Sequence, residues 1–234
     1  MKRFYKMVSF KEEPGGYAIC LDGRPVKTPA RHTLIAPHQA MAEALQAEWA
    51  AQGDEVKPES MPLTQLLNTH IDKVREGRGE MEALVLKYLD TDLLCYRCEE
   101  PPEVATVQNE HWNKWLDWFE KIFEERLETT SALAAIKHPA SAHEKVAAHV
   151  KSLDDAQFTV LQMAVPLSGS LILGLAFANG AASPDQMMDA MFAEENYKGI
   201  YYKEDQYGPD PLTEKKRIAA KRDLEGAARF LALQ

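Results

Sequence analysis

The residues best suited to chemistry in this 234-residue chain are Cys95 and Cys98, which stand in a Cys-x-x-Cys spacing. Such a pair does redox work when one thiol is acidified, usually at a helix N-terminus that follows a strand. Here the preceding stretch reads as helical and no strand–helix–strand pattern surrounds the pair. Two half-buried thiols are the plainer reading. A structural zinc site needs four ligands, and neither a second Cys-x-x-Cys nor a paired His at finger spacing follows. Cys20 and one of the seven histidines would complete a site only by long-range coincidence. His143 and His149 invite comparison with metalloprotease helices, but those carry His at i and i+4. The separation here is six residues, which leaves the rings roughly 120° off a shared face. Phosphate-cradling GxxxxGK[ST] and GxGxxG runs are absent. Ser168-Gly169-Ser170 lacks the glycine placement of a nucleophile elbow. Acidic residues are plentiful, yet no spacing singles out a general acid and base. The sequence therefore points to no metal, no cofactor and no catalytic set. The protein is read as a non-enzyme, with a thiol oxidoreductase using Cys95 and Cys98 as the rival.

A second group of residues is suited to contact rather than chemistry. Trp112, Trp115, Trp118, Phe119, Ile122 and Phe123 recur at helical spacing. A stripe of this kind is usually core, but its face is broader than one helix contact requires. Aromatic side chains also dominate binding hot spots. Trp112, Trp115 and Phe119 are accordingly candidates for contact with a partner.

The elements that must position these residues follow from pattern. Residues 1–36 read as β-structure: Phe4 to Phe10 alternates roughly with period two, Pro14-Gly15-Gly16 is a turn, and Tyr17 to Leu21 is a second strand. Asp22-Gly23 predicts a two-residue hairpin turn, and the prolines of Arg24 to Pro29 confine that run to a sheet edge or loop. Pro37 opens a helix whose Met41, Ala44, Leu45 and Trp49 share a face, and Gly53 ends it. Leu63 to Val74 is helical, Gly77-Arg78-Gly79 breaks it, and Glu80 to Leu89 is helical again. Asp92 to Arg97 fits helix or strand. Glu99-Glu100-Pro101-Pro102 is the expected domain boundary. Beyond it come helices over 104–127, 143–153, 156–179, 184–195 and 212–233. The fold class expected is α+β: a β-rich N-terminal domain with helices over residues 1–100, then an all-α C-terminal domain over 101–234.

Totals narrow the partners. Hydrophobic residues make up 45% and charged residues 27%, enough for a real core. The net charge of −9, with no run of five Lys or Arg, argues against nucleic acid. Three cysteines fit a reducing compartment, and the first residues lack a secretory apolar core or an acid-poor transit pattern. From Ala156 to Pro184 no side chain is charged. Its Gln, Asn, Pro and Gly content and its flanking aspartates favour a buried helix over stable membrane insertion.

Several runs resemble one known family in the right order along the whole chain. They are Arg3-Phe4-Tyr5-Lys6, the stretch from Leu21-Asp22-Gly23 through Pro29, Glu48-Trp49 with Gln52, Met61-Pro62-Leu63-Thr64, Asn68-Thr69 and Ile71-Asp72. Thr91 to Arg97 follows with Gln108 and Trp112, then Ser168 to Leu171 and Ala227 to Leu231. The pattern is similar to the assembly chaperones that bind the alpha subunit of the ATP synthase F₁ sector. The resemblance implies that the protein binds the unassembled alpha subunit, prevents its aggregation and supports assembly of the ATP synthase complex. It also implies a bacterial cytoplasmic member, since eukaryotic members are mitochondrial. In the family an acidic residue before the last helix is expected to matter, and Glu195 and Glu204 are the candidates for partner binding. The sequence departs there: Lys198 stands where Gln is expected, Tyr202-Lys203-Glu204-Asp205 replaces a Trp-Gly-acid run, and residues 206–211 look inserted.

Overall fold

A computed structural model describes every residue of the chain except Leu133, Glu204, Asp205 and Tyr207. The chain forms two compact units, Met1–Arg78 with Glu225–Gln234, and Gly79–Leu224. This division differs from the break expected after residue 100. The prolines at 101 and 102 open a helix, with Pro102 in its first turn, where a missing N–H costs nothing. The stretch before them is bonded within the second unit, as the Leu93 N–H to Gly169 carbonyl bond of 3.0 Å illustrates.

In the first unit, β1 (Val8–Glu13) and β2 (Gly16–Leu21) form an antiparallel hairpin. Two short strands, β3 (Arg24–Pro25) and β4 (Ile35–Ala36), both pair with β2. The first strand begins later than its alternation predicts, because Lys6 and Met7 give their N–H groups to the Asp22 carboxylate at 3.1 and 2.8 Å. Asp22 and Gly23 take φ of 48° and 78°, the left-handed pair that a two-residue hairpin turn demands. Helix α1 (Gln39–Ala50) buries Met41, Ala44, Leu45 and Trp49, the face read from the sequence. Helix α2 (Pro62–Thr69) runs through a π-turn at His70–Val74 into α3 (Arg75–Leu86). The expected break at 77–79 is only a kink: Gly77 alone leaves helical geometry, at φ −130° and ψ 22°.

The second unit is helical: α4 (Pro102–Phe123), α5 (Ala140–Ser152), α6 (Asp155–Ser168), α7 (Leu171–Ala178), α8 (Pro184–Met191) and α9 (Ala193–Tyr201). Helix α10 (Pro211–Ala232) is counted with this unit up to Leu224 and with the first unit from Glu225. The single helix expected over 156–179 is two helices. Gly169 adopts φ 69° and ends α6, and the Ser170 hydroxyl accepts from the Leu173 N–H at 3.0 Å to start α7. A Cβ on Gly174 would lie 2.6 Å from Val165 Cγ2, so α6 and α7 approach more closely than any larger residue permits. Every residue of α7 is buried, which accounts for the uncharged run. No helix among the described residues is long and apolar enough to cross a membrane. The helix expected over 184–195 is also two, divided at Phe192, whose φ and ψ of −110° and 19° leave the helical region.

The structure is α+β, with its sheet in the N-terminal part and helices after it.

Candidate functional site

The second unit is organised around a buried carboxylate. Asp92 is fully buried and caps two helical segments at once. Its Oδ1 accepts from the Leu94 N–H at 3.0 Å and its Oδ2 from the Ile172 N–H at 2.9 Å. The latter N–H is an orphan donor of the first turn of α7, where the helix dipole also favours negative charge. Burial pushes the Asp92 carboxyl up to about 6, against the donors of Ile172, Ser170, Leu94 and Leu171, which favour the charged form.

From Asp92 the bonding continues outward. The Arg97 N–H donates to the Thr130 carbonyl at 2.7 Å, and the Thr130 N–H to the Cys95 carbonyl at 2.8 Å. The Arg97 guanidinium reaches Asn113 Oδ1 at 2.9 Å and lies 5.2 Å from the Trp112 ring. Gln108, itself buried, accepts from the Cys98 N–H at 2.9 Å and donates to Glu194 Oε1 at 2.7 Å. Trp112 Nε1 donates to the Ala190 carbonyl at 2.8 Å. The run from Thr91 to Arg97, Gln108, Trp112 and the 168–171 segment thus form one framework that fixes α4, α7, α8 and α9.

This arrangement decides the reading of the sequence candidates. Trp112, Trp115 and Phe119 are 1%, 4% and 0% exposed. They are core, and offer a partner no surface. From the same stripe Ile122 is 47% exposed and Trp118 is half-buried. Glu195 lies half-buried on α9, one residue from Glu194, the acid that the framework actually holds. Glu204 lies outside the described residues. The Cys95 thiol is buried, and burial together with the Asp92 charge pushes it up. That is opposite to what thiol–disulfide chemistry requires, so the oxidoreductase reading gains no support. Cys98 Sγ donates to the Glu100 carbonyl at 2.9 Å. His143 and His149 go to separate partners, Asp90 at 3.0 Å and Asn179 at 3.1 Å. Among the described residues no group of three or more His, Cys, Asp or Glu is placed to hold a metal ion.

Sequence reasoning missed the apolar surface. At the end of α9, Ile200, Tyr201 and Tyr202 are 79%, 68% and 67% exposed, and on α10 Leu212 and Ile218 are 72% and 61% exposed. The Tyr201 and Tyr202 rings meet edge to face at 5.2 Å. The Arg217 guanidinium of α10 sits 5.2 Å from the Phe192 ring just before α9, joining the two helices. Ile200, Tyr201 and Tyr202 adjoin one another, and large apolar side chains exposed together mark interaction sites in soluble proteins. The Ile200-Tyr201-Tyr202 triplet was the available signal. Being contiguous rather than periodic, it fits no core template.

The motif residues of the first unit are likewise bonded to one another. Glu48 caps α2, accepting from the Leu63 and Thr64 N–H groups at 2.8 and 2.9 Å and from the Thr64 hydroxyl at 2.8 Å. Tyr5 donates its hydroxyl to the Trp49 carbonyl at 2.7 Å. Asp72 accepts from the Thr28 hydroxyl at 2.6 Å and the Ala30 N–H at 2.9 Å, and lies 3.1 Å from His32 Nδ1.

The family model described as ATP12 chaperone protein matches residues 2–120. The mitochondrial protein atp12 of Schizosaccharomyces pombe is 25% identical over 193 residues, covering 76% of this chain and 66% of its own length. Mitochondrial ATP12 of Saccharomyces cerevisiae is 30% identical over 113 residues, covering 40% of this chain and 35% of its own. The matched stretch thus spans a little under two thirds of the first relative and about a third of the second. The crystal structure of Atp12 from Paracoccus denitrificans superposes with a TM-score of 0.84 at 31% identity, covering 99% of this chain and 97% of that one.

Proposed function

Because the chain belongs to the ATP12 chaperone family, we propose that it binds the unassembled alpha subunit of the ATP synthase F₁ sector, keeps it from aggregating and hands it to the assembling complex. The observation that carries this reading is the exposed apolar run Ile200-Tyr201-Tyr202 at the end of α9, a helix tied to α4 by the Gln108–Glu194 bond. A subunit of a hetero-oligomeric ring exposes sticky interface before its neighbours arrive. Covering it takes a standard interface of roughly 1,600 Å², with apolar anchors at its centre and a polar rim that permits release. Glu195 belongs to this rim in our reading, while Trp112, Trp115 and Phe119 support the face from beneath. The protein acts by covering rather than by making or breaking bonds. The bacterial structural relative supports a setting in the bacterial cytoplasm.

The test is dilution of denatured alpha subunit into buffer with and without this protein, followed by light scattering. Wild type suppresses aggregation of alpha, and not of beta, at near-stoichiometric ratio. Ile200→Asp combined with Tyr202→Asp abolishes suppression while thermal stability stays within about 0.5 kcal/mol, as expected for exposed positions. Equal protection of beta, or full activity of the double variant, refutes the assignment of client or surface respectively.

A further inference from the structure

The first unit carries a surface that the family reading leaves unused. Its first 36 residues hold seven Lys and Arg against three Asp and Glu, a net +4 in a chain whose total is −9. In this basic layer lies a pocket of about 580 Å³, walled by Phe4, Tyr5, Val26 and Trp49 and bearing the charges of Arg24, Lys27 and Asp22. The Asp22 carboxylate is taken by the N–H groups of Lys6 and Met7, whereas Arg24 and Lys27 are exposed, Lys27 Nζ donating one hydrogen bond to the Thr33 hydroxyl at 2.8 Å. Phe4 and Met7 are also exposed, at 64% and 59%.

The Tyr5 hydroxyl in the wall is taken by the Trp49 carbonyl, so the pocket offers apolar wall and a cationic rim. Together these describe a seat for a stretch of polypeptide: an apolar side chain fills the pocket, and carboxylates meet Arg24 and Lys27.

We propose that this pocket docks an extended acidic segment of a partner protein, anchored by one large apolar side chain. The inference is independent of the surface on α9 and α10 and of the identity of the client. An anionic bilayer would meet the same charges, but it favours a flat apolar face over a walled pocket.

The probe is a fluorescein-labelled peptide with one phenylalanine flanked by aspartates and glutamates, titrated with the full chain and read by polarisation. Saturable binding is expected, weakening as salt rises. Arg24→Glu with Lys27→Glu weakens it about tenfold. Phe4→Ser, at an exposed position, tests the wall without threatening the fold, and circular dichroism verifies each variant. The proposal is overturned if the peptide does not bind, if a lysine-for-acid counterpart binds as well, or if the charge-reversed variant binds unchanged. Cosedimentation with phosphatidylglycerol vesicles in the absence of peptide binding overturns it in favour of a membrane surface.

Discussion

At Asp92 burial and hydrogen bonding pull in opposite directions, and burial prevails, holding the carboxyl at about 6. A carboxyl that binds its proton more tightly folded than unfolded gives stability that is complete below the unfolded value of about 4 and is lost as pH rises through 6. Asp22 and Asp72, held low by their donors, act in the reverse sense, so the effect is read against a variant rather than in isolation. Asp92→Asn keeps the shape but turns an NH₂ group toward backbone donors, at a cost of about 1–3 kcal/mol. The variant has no proton to gain. The stability gap between wild type and variant therefore widens by on the order of 2 kcal/mol as pH falls from 7 to 4.5; urea denaturation at several pH values measures it, and a constant gap contradicts the assignment. His138 offers the complementary case. It is 6% exposed, neither ring nitrogen has a hydrogen-bond partner among the described residues, and burial pushes its pKa down despite nearby Asp90 and Glu128, with His143 adding to the fall. A histidine held neutral when folded gives stability present above its unfolded value of about 6.5 and lost as pH falls below it. His138→Leu should stabilise by about 1 kcal/mol, and by more at pH 5.5 than at pH 8. Thermal melts at the two pH values test the sign.

Elements were legible where periodicity or turn chemistry spoke alone. The Asp22-Gly23 turn, the buried face of α1 and the presence of α4 follow from local pattern, since a two-residue hairpin and an amphipathic helix are specified by their own residues; the end of α4 does not, for Glu124 turns left-handed at φ 52° and stops the helix at Phe123, short of the expected 127. Breaks were harder. Gly77-Arg78-Gly79 reads as a stop, yet the helix persists with a kink, while Gly169-Ser170 sits in an uncharged run that reads as continuous and divides two helices. What decides between the two cases is tertiary: Gly169 must turn so that α7 can meet Asp92 and lie against α6, and no local pattern contains that partner. The same blindness hid the candidate site. Burial of Trp112, Trp115 and Phe119 and exposure of Ile200 to Tyr202 depend on what packs over each helix, not on spacing. Glycine tests the distinction directly. A Cβ on Gly226 would stand 2.4 Å from Pro62 Cβ at the start of α2, whereas one on Gly79 in α3 meets nothing within 4 Å. Gly79→Ala should therefore stabilise by about 0.5–1 kcal/mol, and Gly226→Ala should destabilise by about 1–3 kcal/mol through overpacking against a rigid ring. Opposite shifts in denaturation midpoint are expected from the same chemical change, and shifts of one sign would contradict the close approach at Pro62.

For the molecule as a whole, the consequential feature is that its first compact unit is built from both ends of the sequence. Residues 225–234 belong with residues 1–78, and they are no ornament: Phe230 and Ala227 are fully buried, and the Phe230 ring meets His70 edge to face at 6.2 Å. Gly226 lies against Pro62, and burial pushes the half-buried Glu48 carboxyl up, against the Leu63 and Thr64 donors and the Arg229 charge. Contacts of such high sequence separation form late and slowly, so a nascent chain completes its second unit before its first. A chain ended after Leu224 makes this measurable. Loss of Phe230 alone costs about 3–5 kcal/mol, comparable with much of a small unit's stability, and the remaining contacts of the tail add to it. In the shortened chain, amides of α1 and α2 over residues 39–69 should exchange hydrogen at least tenfold faster. Those of α6 and α7 over 155–178, in the unit that keeps all its contacts up to Leu224, should hold their protection. Uniform loss across both stretches would mean that the units stand or fall together, and unchanged exchange in α1 and α2 would mean that the tail is dispensable to the unit it joins.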